Sequence, residues 1–185
     1  TARVHYADIT LTEQITGFQR KDRSTGDVIG EADLDLPETT LRTKAMYFTV
    51  PPAIEQELRA EFTDHEFNGG IHAAEHGMIS LFPLLLLCDR GDIGGLSTPY
   101  HPHTDRSTVF IYDGYPGGVG LTEAGFDLTA ELMERTADLI NDCDCEDGCP
   151  ACVQSPQCGN GNEPLAKAPA VDLLYRLSGS TISDD

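Results

Sequence analysis

The chain has 185 residues, enough for one domain with a hydrophobic core, or for one domain with a small metal-binding appendage. Its 12 Lys and Arg residues are outnumbered by 31 Asp and Glu residues, which gives a formal net charge of −19. This balance argues against binding to nucleic acid by charge alone. The longest apolar run, Met78 to Cys88, is too short to cross a bilayer, so we expect no membrane partner.

The charge has a second interpretation, which we favour. Only 3 of the 12 basic residues are lysines, and acidic, lysine-poor surfaces are typical of proteins from halophiles. At about 1 M salt the Debye length falls to ~3 Å, so the charge would neither repel DNA nor steer it. We therefore expect a cytoplasmic, halophilic protein, since the first residues carry no secretory signal. Basic residues cluster at Arg20, Lys21 and Arg23, either as a solvated turn or as a patch that touches nucleic acid.

The first 50 residues predict a strand-rich segment. Val4, Tyr6, Ile15 and Phe18 mark two extended stretches, Ser24–Asp27 is a turn signal, and Leu41–Val50 is the clearest strand. Pro51 and Pro52 then open a short helix, because proline is tolerated in a first turn.

A longer helix is predicted from Ile71 to Cys88, preceded by Gly69 and Gly70. Its end is apolar on all sides, so we expect Leu84, Leu86 and Leu87 to be buried. Residues 89–103 are predicted to be a loop, because they are rich in Gly, Pro and His.

Val109–Tyr112 predicts a short, central strand, since it is wholly apolar. An amphipathic helix follows from Leu121 to Asn141, and a final helix from Pro164 to Leu177. The predicted fold class is therefore α+β, and the chain divides into four parts: a strand-rich segment (1–50), an α/β body (51–142), a cysteine module with the terminal helix (143–177) and a disordered tail (178–185).

One candidate functional cluster lies in the long helix. His72, Glu75 and His76 match the H-x-x-E-H signature of inverted zinc peptidases. On a helix the two histidines share one face and can share a metal, with Glu75 as a base. A third ligand is required, and no downstream Glu is an obvious choice. The alternative is that the histidines only form hydrogen bonds and pack against a loop.

A glycine-rich turn between the central strand and the next helix is a candidate phosphate contact. Gly117, Gly118 and Gly120 lie where a strand meets a helix N-terminus. The Lys and Ser/Thr of a P-loop are missing, so this segment should not hydrolyse ATP. The alternative is that glycine only permits a tight turn.

Five of the six cysteines fall within residues 143–158, which read CDCEDGCPACVQSPQC. We favour four thiolates that converge on one divalent ion, and a tetrahedral all-sulfur site is typical of zinc or iron–sulfur chemistry. The compact ligand set is Cys143, Cys145, Cys149 and Cys152, and Cys158 is an alternative ligand in place of Cys143 or Cys145. Such a site carries a charge of −2, which backbone N–H groups must offset.

Disulfides and an iron–sulfur cluster stay open as alternatives for the clustered cysteines. Disulfides are disfavoured, because five clustered cysteines cannot all pair and no secretory signal is visible. An iron–sulfur cluster would use the same thiolates, but the C-x-C-x3-C-x2-C spacing is shorter than either ferredoxin pattern.

Three blocks of the sequence together resemble one family: IHAAEHGMISLFPLLLLCDRGDIGGLS, VFIYDGYPGGVGLTEAGF and CDCEDGCPACVQSPQCGNGNEPLAKAPAVDLL. They are similar to the C-terminal cysteine-cluster domain of MrfA-type DEAD/DEAH-box DNA repair helicases. The resemblance runs from about Leu36 to the end and is loose before that. It implies that Cys143, Cys145, Cys149 and Cys152 correspond to the zinc ligands of that domain.

The resemblance also implies a function. The parent protein would be an ATP-dependent superfamily 2 DNA helicase, with ATP and Mg²⁺ bound by motor lobes upstream in the same chain. This segment, which has no ATPase motif, would be its non-catalytic zinc-binding accessory domain and would meet DNA, expected to be single-stranded, through the full-length protein. Two alternatives stay open: a zinc-dependent hydrolase that uses His72, Glu75 and His76, and a stand-alone interaction subunit of a helicase.

Overall fold

The computed structural model of the chain describes residues 3–179. Its main sheet is antiparallel and has four strands in the spatial order β1-β4-β6-β5. The strands of the described chain are β1 (Arg3–Glu13), β2 (Gly17–Lys21), β3 (Val28–Asp33), β4 (Thr39–Thr49), β5 (Ile93–His101) and β6 (Arg106–Asp113). Strands β2 and β3, which lie between β1 and β4 in the sequence, form a separate hairpin. Arg20, Lys21 and Arg23 are exposed at its tip.

Helices cover the sheet and form the rest of the core. They are α1 (Pro52–Glu61), α2 (Asp64–Leu86), α3 (Leu121–Phe126), α4 (Thr129–Asn141) and α5 (Lys167–Ser178), with a short 3-10 helix at Arg90–Asp92. Helix α2 contacts β5 and β6 as well as α4 and α5. The predicted α+β class is confirmed, and β6 is the buried central strand that the apolar run at 109–112 predicted.

Helix α2 begins seven residues before the predicted start. Thr63 and Glu66 form a capping box: the Glu66 N–H donates to the Thr63 hydroxyl (3.3 Å), and the Thr63 N–H donates to the Glu66 carboxylate (2.8 Å). This cap satisfies donors of the first turn and sets the helix start. Gly69 and Gly70 therefore lie inside the helix, where both are buried.

The far end of α2 differs from the expectation of full burial. Leu84 is 73% exposed and Leu87 is 93% exposed, whereas Leu86 is half-buried. The helix ends at Leu86, and Leu87 adopts a left-handed conformation that turns the chain back toward β5.

Two further predictions were wrong in detail. The predicted loop at 89–103 contains β5, whose glycines weaken the strand signal; a Cβ at Gly95 would lie 2.1 Å from Ile79 and 2.7 Å from the Glu75 carboxylate. The predicted helix at 121–141 is two helices, because the Thr129 hydroxyl donates to the carbonyls of Gly125 and Phe126 at the break.

The main sheet includes strands from two of the four predicted parts of the chain. Strand β4 lies before the boundary at residue 50 and pairs with β6 of the body. The four-part division stays a prediction. Of the predicted tail, Ser178 ends α5, and residues 180–185 lie outside the described residues. Within residues 3–179, no helix is long and apolar enough to cross a membrane.

Candidate metal centre

Four cysteine sulfurs meet between the end of α4 and the start of α5. The Sγ–Sγ distances are 3.5 Å for Cys143–Cys145, 3.6 Å for Cys143–Cys149, 3.4 Å for Cys145–Cys152 and 3.8 Å for Cys149–Cys152. All six described cysteines are free, so none of these contacts is a disulfide. The structure thus brings together the compact set of four that the sequence favoured.

These distances suit one tetrahedral ion. A Zn–S bond of about 2.3 Å in tetrahedral geometry places neighbouring sulfurs roughly 3.8 Å apart. The observed spacing of 3.4–3.8 Å lies at or slightly inside that value. The donor set therefore fits a zinc ion held by four thiolates.

The turn that carries Cys149 and Cys152 is held by its own backbone. The Cys149 carbonyl accepts N–H donors from Cys152, Val153 and Gln154 at 3.0–3.1 Å. The Cys149 N–H points at the Cys152 sulfur at 3.4 Å, as expected for a turn that stabilises a thiolate. Gly148, just before this turn, has φ = +101°, a conformation that L side chains rarely adopt.

A lysine beside the cluster was missed by the sequence reasoning, which assigned charge compensation to backbone N–H groups alone. Lys167 is half-buried at the start of α5, and its ammonium donates to the carbonyls of Cys143 (2.6 Å) and Cys145 (2.7 Å). Burial opposes ionisation of the Cys145 thiol, but hydrogen bonds from neighbouring thiols and from Lys167 outweigh it and lower its pKa. The sequence offered one signal for this role of Lys167: the helix dipole disfavours a cation in the first turn of a helix.

Cys158 does not join the four sulfurs. It belongs to a second cluster with His72 and His76, in which one ring nitrogen of each histidine and the Cys158 sulfur all lie within 4.8 Å of one another. His72 Nε2 is 3.4 Å from Cys158 Sγ. The sequence had found no third partner for the two histidines, because Cys158 is 86 residues away from His72. Catalysis by a hydrolase at this position stays a prediction.

The second cluster lines a cavity of about 580 Å³, together with Glu75 and Arg90. Glu75 accepts a hydrogen bond from the Ser97 hydroxyl at 2.6 Å. Burial raises the pKa of Glu75 to about 7, against the opposing effect of the Ser97 hydrogen bond. Burial lowers the pKa of His76 to about 4, so its imidazole is neutral near pH 7.

The glycine-rich turn has its N–H groups occupied. Gly117 donates to the Arg42 carbonyl (2.8 Å) and Gly118 to the Tyr115 carbonyl (3.0 Å). The Asp113 carboxylate accepts hydrogen bonds from the backbone N–H groups of Gly120 (2.9 Å), Val119 and Thr122. A phosphate would have to compete with that carboxylate, and phosphate contact at Gly117, Gly118 and Gly120 stays a prediction.

Comparison with known proteins identifies relatives of this arrangement. A family model described as the MrfA Zn-binding domain matches residues 74–153, which include all four clustered cysteines. The uncharacterised protein MJ1572.1 of Methanocaldococcus jannaschii is 36% identical over 110 residues, which cover 58% of this chain and 98% of that protein. The uncharacterised ATP-dependent helicase YprA of Bacillus subtilis is 32% identical over 150 residues, 81% of this chain and 19% of the helicase.

Comparison with solved structures also finds a similar helicase. A crystal structure of the DUF1998 helicase MrfA bound to DNA superimposes with a TM-score of 0.69 at 30% identity, and covers 94% of this chain and 22% of the helicase. The chain spans about a fifth of the length of the helicases that it matches.

Proposed function

Because the chain belongs to the family of MrfA Zn-binding domains, we propose that it is the zinc-stabilised accessory domain of an ATP-dependent superfamily 2 DNA helicase that acts in DNA repair. Its zinc ligands are Cys143, Cys145, Cys149 and Cys152. Four protein sulfurs leave no coordination position for a substrate, so the ion is structural. The convergence of these sulfurs at 3.4–3.8 Å carries the zinc assignment, and the match to the MrfA Zn-binding domain supports the helicase assignment.

The zinc stabilises a stretch that has little other means of folding. Residues 142–166, between α4 and α5, form no helix or strand. Metal binding there contributes folding free energy and anchors α5, whose apolar face packs in the core through Leu173, Leu174 and Leu177. An iron–sulfur cluster would spread four thiolates over separate iron atoms, whereas these sulfurs surround one point.

The motor of the proposed helicase lies upstream in the same polypeptide. ATP and Mg²⁺ are bound there, since this chain has no P-loop motif. DNA, proposed to be single-stranded, is a partner of the whole protein. The helicases YprA and MrfA among the relatives, and the DNA in the MrfA crystal structure, support this proposal.

The size of the native polypeptide tests whether this domain and the helicase motor belong to one chain. An antibody raised against this chain should detect, in extracts of the source cells, a protein several times larger than 20.1 kDa. Immunoprecipitates should unwind a forked DNA duplex with ATP and not without it. A native band near the 20.1 kDa of this chain would contradict fusion, and helicase activity in that precipitate would favour the stand-alone interaction subunit.

The zinc role has its own test in the full-length protein. Cys149→Ser should remove one zinc per chain, measured by elemental analysis, and lower the midpoint of thermal unfolding. Cys88→Ser is the matched control, because Cys88 is also a free, half-buried cysteine and lies outside both clusters. Unchanged zinc content in Cys149→Ser, or iron in place of zinc, would refute the assignment.

A further inference from the structure

The second cluster is built from three side chains that are not ligands of the proposed four-cysteine zinc site. His72 and His76 lie one turn apart on α2, with their rings in contact at a centroid distance of 4.3 Å. Cys158 comes from the loop before α5. Three side chains with good metal-binding atoms thus converge from distant parts of the chain.

Hydrogen bonds at Nδ1 hold both imidazoles in place. His72 Nδ1 lies 2.9 Å from the carbonyl oxygen of Pro164, and His76 Nδ1 lies 2.7 Å from that of Val153. A carbonyl oxygen can only accept, so Nδ1 carries a proton on each ring, and in this neutral tautomer Nε2 has a lone pair that can bind a metal. Metal-bound histidines in proteins are usually held in this way, with the second ring N–H on a carbonyl or carboxylate.

The sulfur is oriented as well. The Asn162 N–H points at Cys158 Sγ at 3.3 Å. Asn162 is itself anchored to Ser155, with its side-chain oxygen accepting from the Ser155 N–H (2.7 Å) and its side-chain nitrogen donating to the Ser155 carbonyl (3.0 Å). A backbone N–H directed at sulfur stabilises the thiolate, which is the form that binds metal.

The observed spacing suits a shared ion. Zn–N bonds of about 2.05 Å and Zn–S bonds of about 2.3 Å place tetrahedral N and S ligands roughly 3.5 Å apart. His72 Nε2 and Cys158 Sγ are 3.4 Å apart. A hydrogen bond between a thiol and an imidazole has a similar length, so the metal content decides between the two.

We propose that His72, His76 and Cys158 bind a second Zn²⁺ ion, distinct from the four-cysteine zinc and open at its fourth position to the 580 Å³ cavity. Mixed imidazole and thiolate donors favour zinc over magnesium or calcium. Three protein ligands with one position free is the ligand number of zinc sites that keep an open coordination position, not of structural ones. The fourth ligand is a water molecule from the cavity, and this site goes beyond the proposed accessory function.

Zinc stoichiometry tests the proposal on the full chain. Metal-free protein titrated with Zn²⁺ against a chromophoric chelator should bind two equivalents. Cys158→Ser and His76→Gln should each bind one, while Cys88→Ser binds two. A single equivalent in the unsubstituted chain would overturn the second site and leave the four-cysteine site intact.

A measurement on the unsubstituted protein covers the case in which the variants fail to fold. X-ray absorption at the zinc edge averages over both sites: four sulfurs in one, and one sulfur with three nitrogen or oxygen atoms in the other. The expected average is about 2.5 sulfur and 1.5 lighter ligands per zinc. An average of four sulfurs at full loading would refute the second site and would support the first alone.

Discussion

The Nδ1 atom of His76 lies 2.7 Å from the carbonyl oxygen of Val153, the residue directly after Cys152. His76 and Val153 are both buried. The bond joins the longest helix of the domain to the turn that carries two of the proposed zinc ligands. The proposed zinc site is therefore coupled to the helical core through this hydrogen bond.

Loss of the four-cysteine zinc should lower the protection of α2 against amide hydrogen exchange. In Cys149→Ser, which should lose only the four-cysteine zinc, amide hydrogen exchange should rise in residues 143–166 and in the turn of α2 around His76, because the Val153 carbonyl loses its fixed position. Strand β4 around Ala45, paired on both sides by β1 and β6, should keep its protection. Mass spectrometry of exchanged peptides measures this. Unchanged exchange in α2, or equal loss in β4, would contradict local coupling.

Gly148 should be hard to replace. With φ = +101°, an added Cβ would be strained, and it would lie 2.5 Å from the Val153 side chain. Gly148→Ala should cost about 1–3 kcal/mol of unfolding free energy, measured in urea, and weaken zinc binding. Gly159→Ala is the matched control, since no atom lies within 4 Å of its added Cβ. Equal stability of the two variants would count against the strain.

Lys167 should tune the affinity for zinc. Lys167→Met keeps much of the side-chain bulk but removes the ammonium that donates to the carbonyls of Cys143 and Cys145. Loss of such a supporting group typically weakens metal binding about 10- to 100-fold. Competition with a chromophoric chelator measures the change. Lys21→Met, at the exposed hairpin tip, controls for the loss of one positive charge. It should bind zinc as tightly as the unsubstituted chain does.

The features that could be predicted from the sequence depend on residues that lie close together in the chain. The four clustered cysteines span only ten positions, and the apolar run at 109–112 marked the central strand. Long-range partners gave no such signal: Cys158 meets His72 across 86 residues, and Lys167 reaches back 24 residues to Cys143. Strand β5 was missed for a related reason, because the space that Gly95 leaves for Glu75 belongs to a tertiary contact and not to a local pattern.

Asp113 should be essential for the turn before α3. It is fully buried and accepts N–H donors from Val119 (2.5 Å), Gly120 (2.9 Å) and Thr122 (2.8 Å). In Asp113→Asn the amide NH₂ would face at least one of these donors, so the unfolding free energy should fall by about 2 kcal/mol or more.

The matched control for this substitution is Asp127→Asn, at an exposed aspartate that follows α3. Urea unfolding of the two variants measures the difference. A loss below about 0.5 kcal/mol in Asp113→Asn would show that the turn is held by its other hydrogen bonds.

Salt should stabilise the chain, and the shape of the dependence tests the halophile interpretation. With a net charge of −19, screening of self-repulsion should raise the thermal midpoint as KCl increases. Screening is nearly complete at about 1 M, where the Debye length is only ~3 Å. A halophilic surface should therefore continue to gain stability between about 1 and 3 M KCl, and calorimetry follows the thermal midpoint. A plateau below about 1 M would be simple screening and would refute the halophile interpretation, because no long-range repulsion is left to screen above that concentration.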